Sequence, residues 1–134
     1  IRKEAGLPGG RFYNLGQGTG SSGDAGALET LQGNVRKWVG FCARYGYDEV
    51  YFYGIDEATG EHLKSQQDTW RAVQEAGGRT FVACYKETFE AMGGLLNCAV
   101  LAGRPLVLVI PDVRGRISPP DIGEAIRRQL GMAE

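Results

Sequence analysis

The chain has 134 residues, a formal net charge of −1 and 21 glycines, with 43% apolar and 23% charged residues. That length suits one domain with a real core, but a complete eightfold β/α barrel needs about 200 residues or more. The composition excludes a wholly disordered chain, and the near-zero charge argues against a nucleic-acid partner. No apolar run approaches the ~18 residues of a membrane span.

The chain opens on Ile1 rather than Met, and Arg2-Lys3-Glu4-Ala5 reads as the tail of a helix, so a processed or truncated chain is expected. Gly6-Leu7-Pro8-Gly9-Gly10 is a stop-and-turn signal. A short strand is predicted over 11–15, then a glycine-rich loop over 16–26. Leu28, Leu31, Val35, Trp38, Val39, Cys42 and Tyr45 recur at helical spacing, which predicts an amphipathic helix closed by Gly46.

Val50 to Ile55 is a β-branched and aromatic run, apolar on both faces like a buried parallel strand. Thr59 is a candidate N-cap for one helix reaching about Ala76, with Leu63, Trp70 and Val73 on its inner stripe and Gly77-Gly78 as its stop. A strand follows over 80–84, then a helix over 86–96 interrupted by Gly93-Gly94. Further strands are expected over 98–101 and 106–110, and a last helix over 118–131 after Pro119-Pro120. This alternation predicts an α/β fold: a parallel sheet covered by helices, with residues 1–134 as a single domain.

Cys42, Cys84 and Cys98 form no metal-ligand spacing and sit in apolar contexts, so buried free thiols, a reducing compartment and no metal or other cofactor are expected. His62, the one histidine, is expected on the solvent face of its helix. The leading candidate site is Asp56-Glu57, at the C-terminal end of the aromatic strand, the end that faces ligands in parallel α/β folds. Adjacent carboxylates suit a proton donor beside a stabilising anion; an alternative is an acidic pair that favours the dipole of the following helix. Tyr13, Tyr53 and Tyr85 are candidate substrate-binding rings, Tyr13 and Tyr85 being expected near strand ends, whereas Trp38 and Trp70 fit the core. Gly18-Thr19-Gly20-Ser21-Ser22-Gly23 is formally a dinucleotide fingerprint, but no acid stands ~20 residues on at a strand end, and a surface or active-site loop fits better. Arg114 and Arg116 could meet an anion or simply be solvated.

Three segments, Arg2 to Gly10, Tyr51 to Ala58 and Ala76 to Ala83, resemble part of a (β/α)8-barrel glycoside hydrolase, nearest to glycoside hydrolase family 123-like catalytic domains. The resemblance spans residues 1 to about 105 and implies a partial (β/α) TIM-type barrel, a fragment of a longer one. It implies hydrolysis of glycosidic bonds, with a 2-acetamido sugar assisting its own cleavage. In that reading Glu57 is the general acid/base, Asp56 the stabiliser of the acetamido group and Tyr85 a further contact to that group. Other readings stay open: a non-catalytic carbohydrate-binding or structural remnant of such a barrel, and a nucleotide-binding open α/β domain. Exposed strand edges and little net charge make a homodimer possible.

Overall fold

The computed structural model describes residues 4–6, 9–21 and 23–101. The strand expected over 106–110, the helix over 118–131 and the pair Arg114 and Arg116 lie outside the described residues. The elements are β1 (Gly10–Gly18), α1 (Ala25–Ala43), β2 (Tyr47–Tyr53), α2 (Gly60–Lys64), α3 (Gln67–Glu75), β3 (Arg79–Ala83), α4 (Lys86–Met92) and β4 (Cys98–Val100). A 3-10 turn, Gly93–Leu95, separates α4 from β4 at the expected glycine pair.

All strand pairs are parallel, and the four strands form an open sheet in the order β1-β2-β3-β4. A right-handed crossover repeated in one direction keeps every helix on the same face. The core agrees. Val50 and Phe52 of β2 lie in one apolar cluster with Leu31, Val35 and Cys42 of α1 and Ala72 and Val73 of α3. Val82 of β3 lies in a second with Leu63 of α2, Trp70 of α3 and Met92 of α4.

Each helix has a local cause. The Asp24 carboxylate accepts from the Ala27 N–H at 2.9 Å and caps α1. The helical-spacing residues Leu31, Val35 and Cys42 then face inward, with Leu28, Trp38 and Val39 packed beside them. The single helix expected over 59–76 is instead two. The Gln66 N–H bonds to the Leu63 carbonyl at 3.1 Å, tightening the chain into a 3-10-like turn. The wholly buried Gln66 side chain accepts from the Ile55 N–H at 2.7 Å and draws that turn against the end of β2. No helical period announces this break, because it answers to a tertiary hydrogen bond.

Two glycines set how closely the layers meet. A Cβ on Gly78 would lie 2.8 Å from Phe52 and 2.9 Å from Val35 and Val73, so only glycine lets α3 turn back into β3 over this cluster. A Cβ on Gly54 would lie 2.7 Å from the Trp70 ring. The indole therefore seals the underside of the loop that leaves β2.

The opposite face of the sheet is buried too at Tyr51 and Phe81, as expected of β2, but it also holds an ion-paired carboxylate. Glu49 and Arg11 are register partners, as are Tyr51 and Arg79. Glu49 Oε2 meets Arg11 Nε at 3.0 Å and accepts from the Tyr51 hydroxyl at 2.9 Å, while Oε1 meets Arg79 at 3.2 Å. One carboxylate thus ties three strands together. Above it, Tyr13 stacks on Tyr51 at 4.7 Å, and the Phe81 ring meets Tyr13 at 5.2 Å and Tyr53 at 4.9 Å. Neither Tyr51 nor Phe81 belongs to the clusters beneath the helices.

The Tyr51 hydrogen bond and the two guanidinium charges hold the Glu49 pKa below its ordinary 4.5, against the pull of burial. A depressed carboxylate contributes stability above its unfolded pKa and loses it as pH falls through the folded value. Glu49→Gln, which keeps an acceptor for Tyr51, is therefore expected to lower the urea midpoint at pH 7, and the deficit should shrink as pH drops below 4.5. A deficit that is constant from pH 7 to pH 3 would mean that the charge contributes nothing.

Candidate functional site

Strand β2 ends at Tyr53, and the chain then crosses the C-terminal edge of the sheet through Gly54 to Ala58. Three bonds pin this crossing: Gly54 N–H to the Phe81 carbonyl at 2.9 Å, Ile55 N–H to Gln66 and Glu57 N–H to the Ala83 carbonyl at 2.9 Å. Asp56 and Glu57 are both exposed here, at the strand end that the sequence indicates.

Each carboxylate has a tyrosine beside it. The Tyr53 hydroxyl donates to Asp56 Oδ1 at 2.8 Å. Burial, then this bond, pushes the Tyr53 pKa up, so its proton stays in place at neutral pH. Tyr85, the residue before α4, stands next to Glu57, whose hydrogen bonding and charge raise the Tyr85 pKa. The two acids and two phenols come from the segments following β2 and β3, with Tyr53 the last residue of β2. Pairing of the acids with tyrosines was not legible in the sequence. The spacing of Tyr53 and Asp56 carries it only once the chain turns after Gly54.

Glu57 has a further distinction. Its φ of +48° is the positive value of a non-glycine among the described residues. A left-handed backbone costs about 1–2 kcal/mol for a residue with a Cβ, and such strain gathers at functional sites. The Glu57–Ala83 bond and the Gln66 tie on Ile55 hold it there.

The third candidate ring lies elsewhere. Tyr13 sits within β1 opposite Tyr51, not at a strand end, because β1 runs on to Gly18. Its ring still reaches the same aromatic row, since Phe81 touches both Tyr13 and Tyr53. The expected loop over 16–26 is correspondingly shorter. Asn14 Oδ1 accepts from the N–H groups of Gly16 and Gln17 at 2.9 and 3.1 Å, and β1 continues through this irregularity to Gly18. Gly18 to Ser21 then line a cavity of about 350 Å³ with Asn34 and Thr69. The N-terminus of α1 beside it is already capped by Asp24, whose charge opposes a phosphate there.

Trp70 is buried and Trp38 packs partly buried against the core, as their helical positions predict. All three cysteines are free, with Cys42 and Cys84 buried; burial raises both thiol pKa values, which keeps them unreactive. His62 is exposed on α2. Among the described residues no group of three metal-ligating side chains converges. Nor is any described helix long and apolar enough to cross a membrane.

Relief of the Glu57 strain is measurable. Glu57→Gly is expected to raise unfolding stability by about 1 kcal/mol, whereas Glu57→Ala, which keeps the Cβ, should not. Chemical denaturation of both variants checks this, and equal stability of the two would show that the backbone relaxes without cost.

No family model, curated protein or solved structure matches this chain.

Proposed function

We propose that the C-terminal edge of β2 and β3 is the site of a glycoside-hydrolase-like domain, with Asp56 and Glu57 as its working pair. The observation that carries this reading is the pair itself: adjacent, exposed carboxylates at that edge, each beside a tyrosine, with Glu57 in a left-handed backbone. The strand order supports the partial TIM-type barrel that goes with it. Sequential parallel strands with a common helix-covered face are what a sector of a (β/α) barrel requires, while a doubly wound sheet reverses its order.

The chemistry follows from the pairings. Tyr53 occupies Oδ1 of Asp56 and fixes the carboxylate, leaving its other oxygen to accept from the N–H of a 2-acetamido group. That contact orients the acetamido oxygen for attack on the anomeric carbon and stabilises the positive charge that develops on it. Glu57 gives its proton to the departing glycosidic oxygen and later takes one from the water that opens the cyclic intermediate. Tyr85, beside Glu57, positions that carboxyl or a sugar hydroxyl. The Tyr13 ring, exposed and stacked on the buried Tyr51, offers an apolar face for sugar stacking. A nucleotide at the loop after β1 is the weaker reading, because Asp24 holds the helix terminus that a phosphate would need.

An aryl 2-acetamido glycoside and its 2-hydroxy counterpart test the proposal. Glu57→Gln should lower kcat by about two to four orders of magnitude. Asp56→Asn should damage the acetamido substrate more than the 2-hydroxy one. Equal loss on both rejects the substrate-assisted role, and saturable sugar binding without turnover identifies a carbohydrate-binding remnant instead.

A further inference from the structure

The described cations divide into two groups. Arg11, Lys64, Arg71, Arg79 and Lys86 each meet a carboxylate. Among the described residues Arg36, Lys37 and Arg44 have no such ion pair, and all three lie on or just beyond the C-terminal half of α1. Arg36 bonds only to the neutral Gln32, at 3.2 Å. These unpaired charges surround exposed aromatic rings. Phe41 is 51% and Tyr45 66% exposed, and they lie 5.1 Å apart, with Trp38 edge-on to Phe41 at 6.1 Å.

The same residues bound a depression. Arg36, Lys37, Trp38, Gly40, Phe41 and Arg44 line a cavity of about 590 Å³, with no carboxylate among the described residues of that lining. A Cβ on Gly40 would meet nothing within 4 Å, so the space beside this lining residue is open. Trp38 packs against the core, but burial cannot explain Phe41 and Tyr45, because the inward stripe of α1 is Leu31, Val35 and Cys42. Large exposed aromatics rimmed by charge mark recognition surfaces rather than ordinary solvated helix.

We propose that this face of α1 docks an acidic amphipathic segment of a partner protein, its apolar side on Phe41 and Tyr45 and its carboxylates on Arg36, Lys37 and Arg44. Charge complementarity selects the occupant. Three cations with no acid among the described lining residues favour a negative partner, and the central rings require that partner to be apolar on one side. Three charges on a chain of net charge −1 are few for a nucleic acid, which is held by many phosphate contacts. Stable adsorption to an anionic bilayer calls for a cluster of about four to eight basic residues. The proposal stands apart from the Asp56-Glu57 edge and survives or fails without it.

Fluorescence anisotropy with a short labelled helix-forming peptide of Glu and Leu, the Leu at helical spacing, tests it on the whole chain. Binding should weaken about tenfold in the triple variant Arg36→Gln, Lys37→Gln, Arg44→Gln, and about as much in Phe41→Ala. A scrambled peptide of the same composition should bind at least about tenfold more weakly, a comparison that needs no variant to fold. Failure of the peptide to bind overturns the proposal. So does equal binding of the scrambled peptide or of polyphosphate, which would mean charge attraction alone. Phe41-dependent binding to phosphatidylserine vesicles, with none to the peptide, would assign the face to a membrane surface instead.

Discussion

Strand β2 faces two chemically different surroundings, and the rest of the molecule is arranged around that division. Val50 and Phe52 point under the helices into the apolar cluster, while Glu49, Tyr51 and Tyr53 alternate onto the other face. A shift of one residue in pairing would carry Glu49 beneath the helices and Phe52 out of the apolar cluster. The ion-paired ladder from Arg11 through Glu49 to Arg79 guards against it by tying β1, β2 and β3 in one register. Surface ion pairs contribute little singly. Here the geometry matters more than the energy, because the same carboxylate also accepts from Tyr51.

From that register follows the position of the C-terminal edge. Once Phe52 is seated, Tyr53 falls on the open face and Gly54 passes against the Trp70 ring, where no side chain fits. The loop beyond is then held from two sides, by Gln66 through Ile55 and by Ala83 through Glu57. Those ties carry Glu57 into its left-handed conformation. Packing energy from the Trp70 cluster thus supports a strained, exposed acid a few residues away, which is how a rigid scaffold presents chemistry on a loop. The α1 surface has a different origin. It is the outer side of a helix whose inner stripe already satisfies the core, so Phe41, Tyr45 and the three cations are free of core packing.

Much of this was legible in the residues. Helical spacing located α1, and the β-branched and aromatic runs located β2 and β3, with boundaries displaced by a few residues. The strand β1 was longer than its apolar residues suggest, because the Asn14 carboxamide supports the glycines that follow. The break between α2 and α3 was hidden, since its cause is a long-range bond from Gln66. Asp56 and Glu57 stood out because they follow the clearest strand run, Val50 to Ile55. Their tyrosine partners did not, because partnership across a loop depends on distances that spacing along a chain does not encode.

Local periodicity and composition by themselves determined the alternation of strands and helices, the parallel α/β class and the inward residues Leu31, Val35, Cys42, Leu63, Trp70 and Val73, since these depend on contacts a few positions apart. Tyr45 of the same apolar pattern, by contrast, lies past the end of α1 and is exposed. Tertiary structure alone decided the strand order, the chemistry of the second sheet face and the strain at Glu57. Each of those is set by which distant residues meet. Arg11 and Glu49 are separated by much of a β-α-β unit, and Glu57 and Ala83 by another, so no local pattern can hold the information.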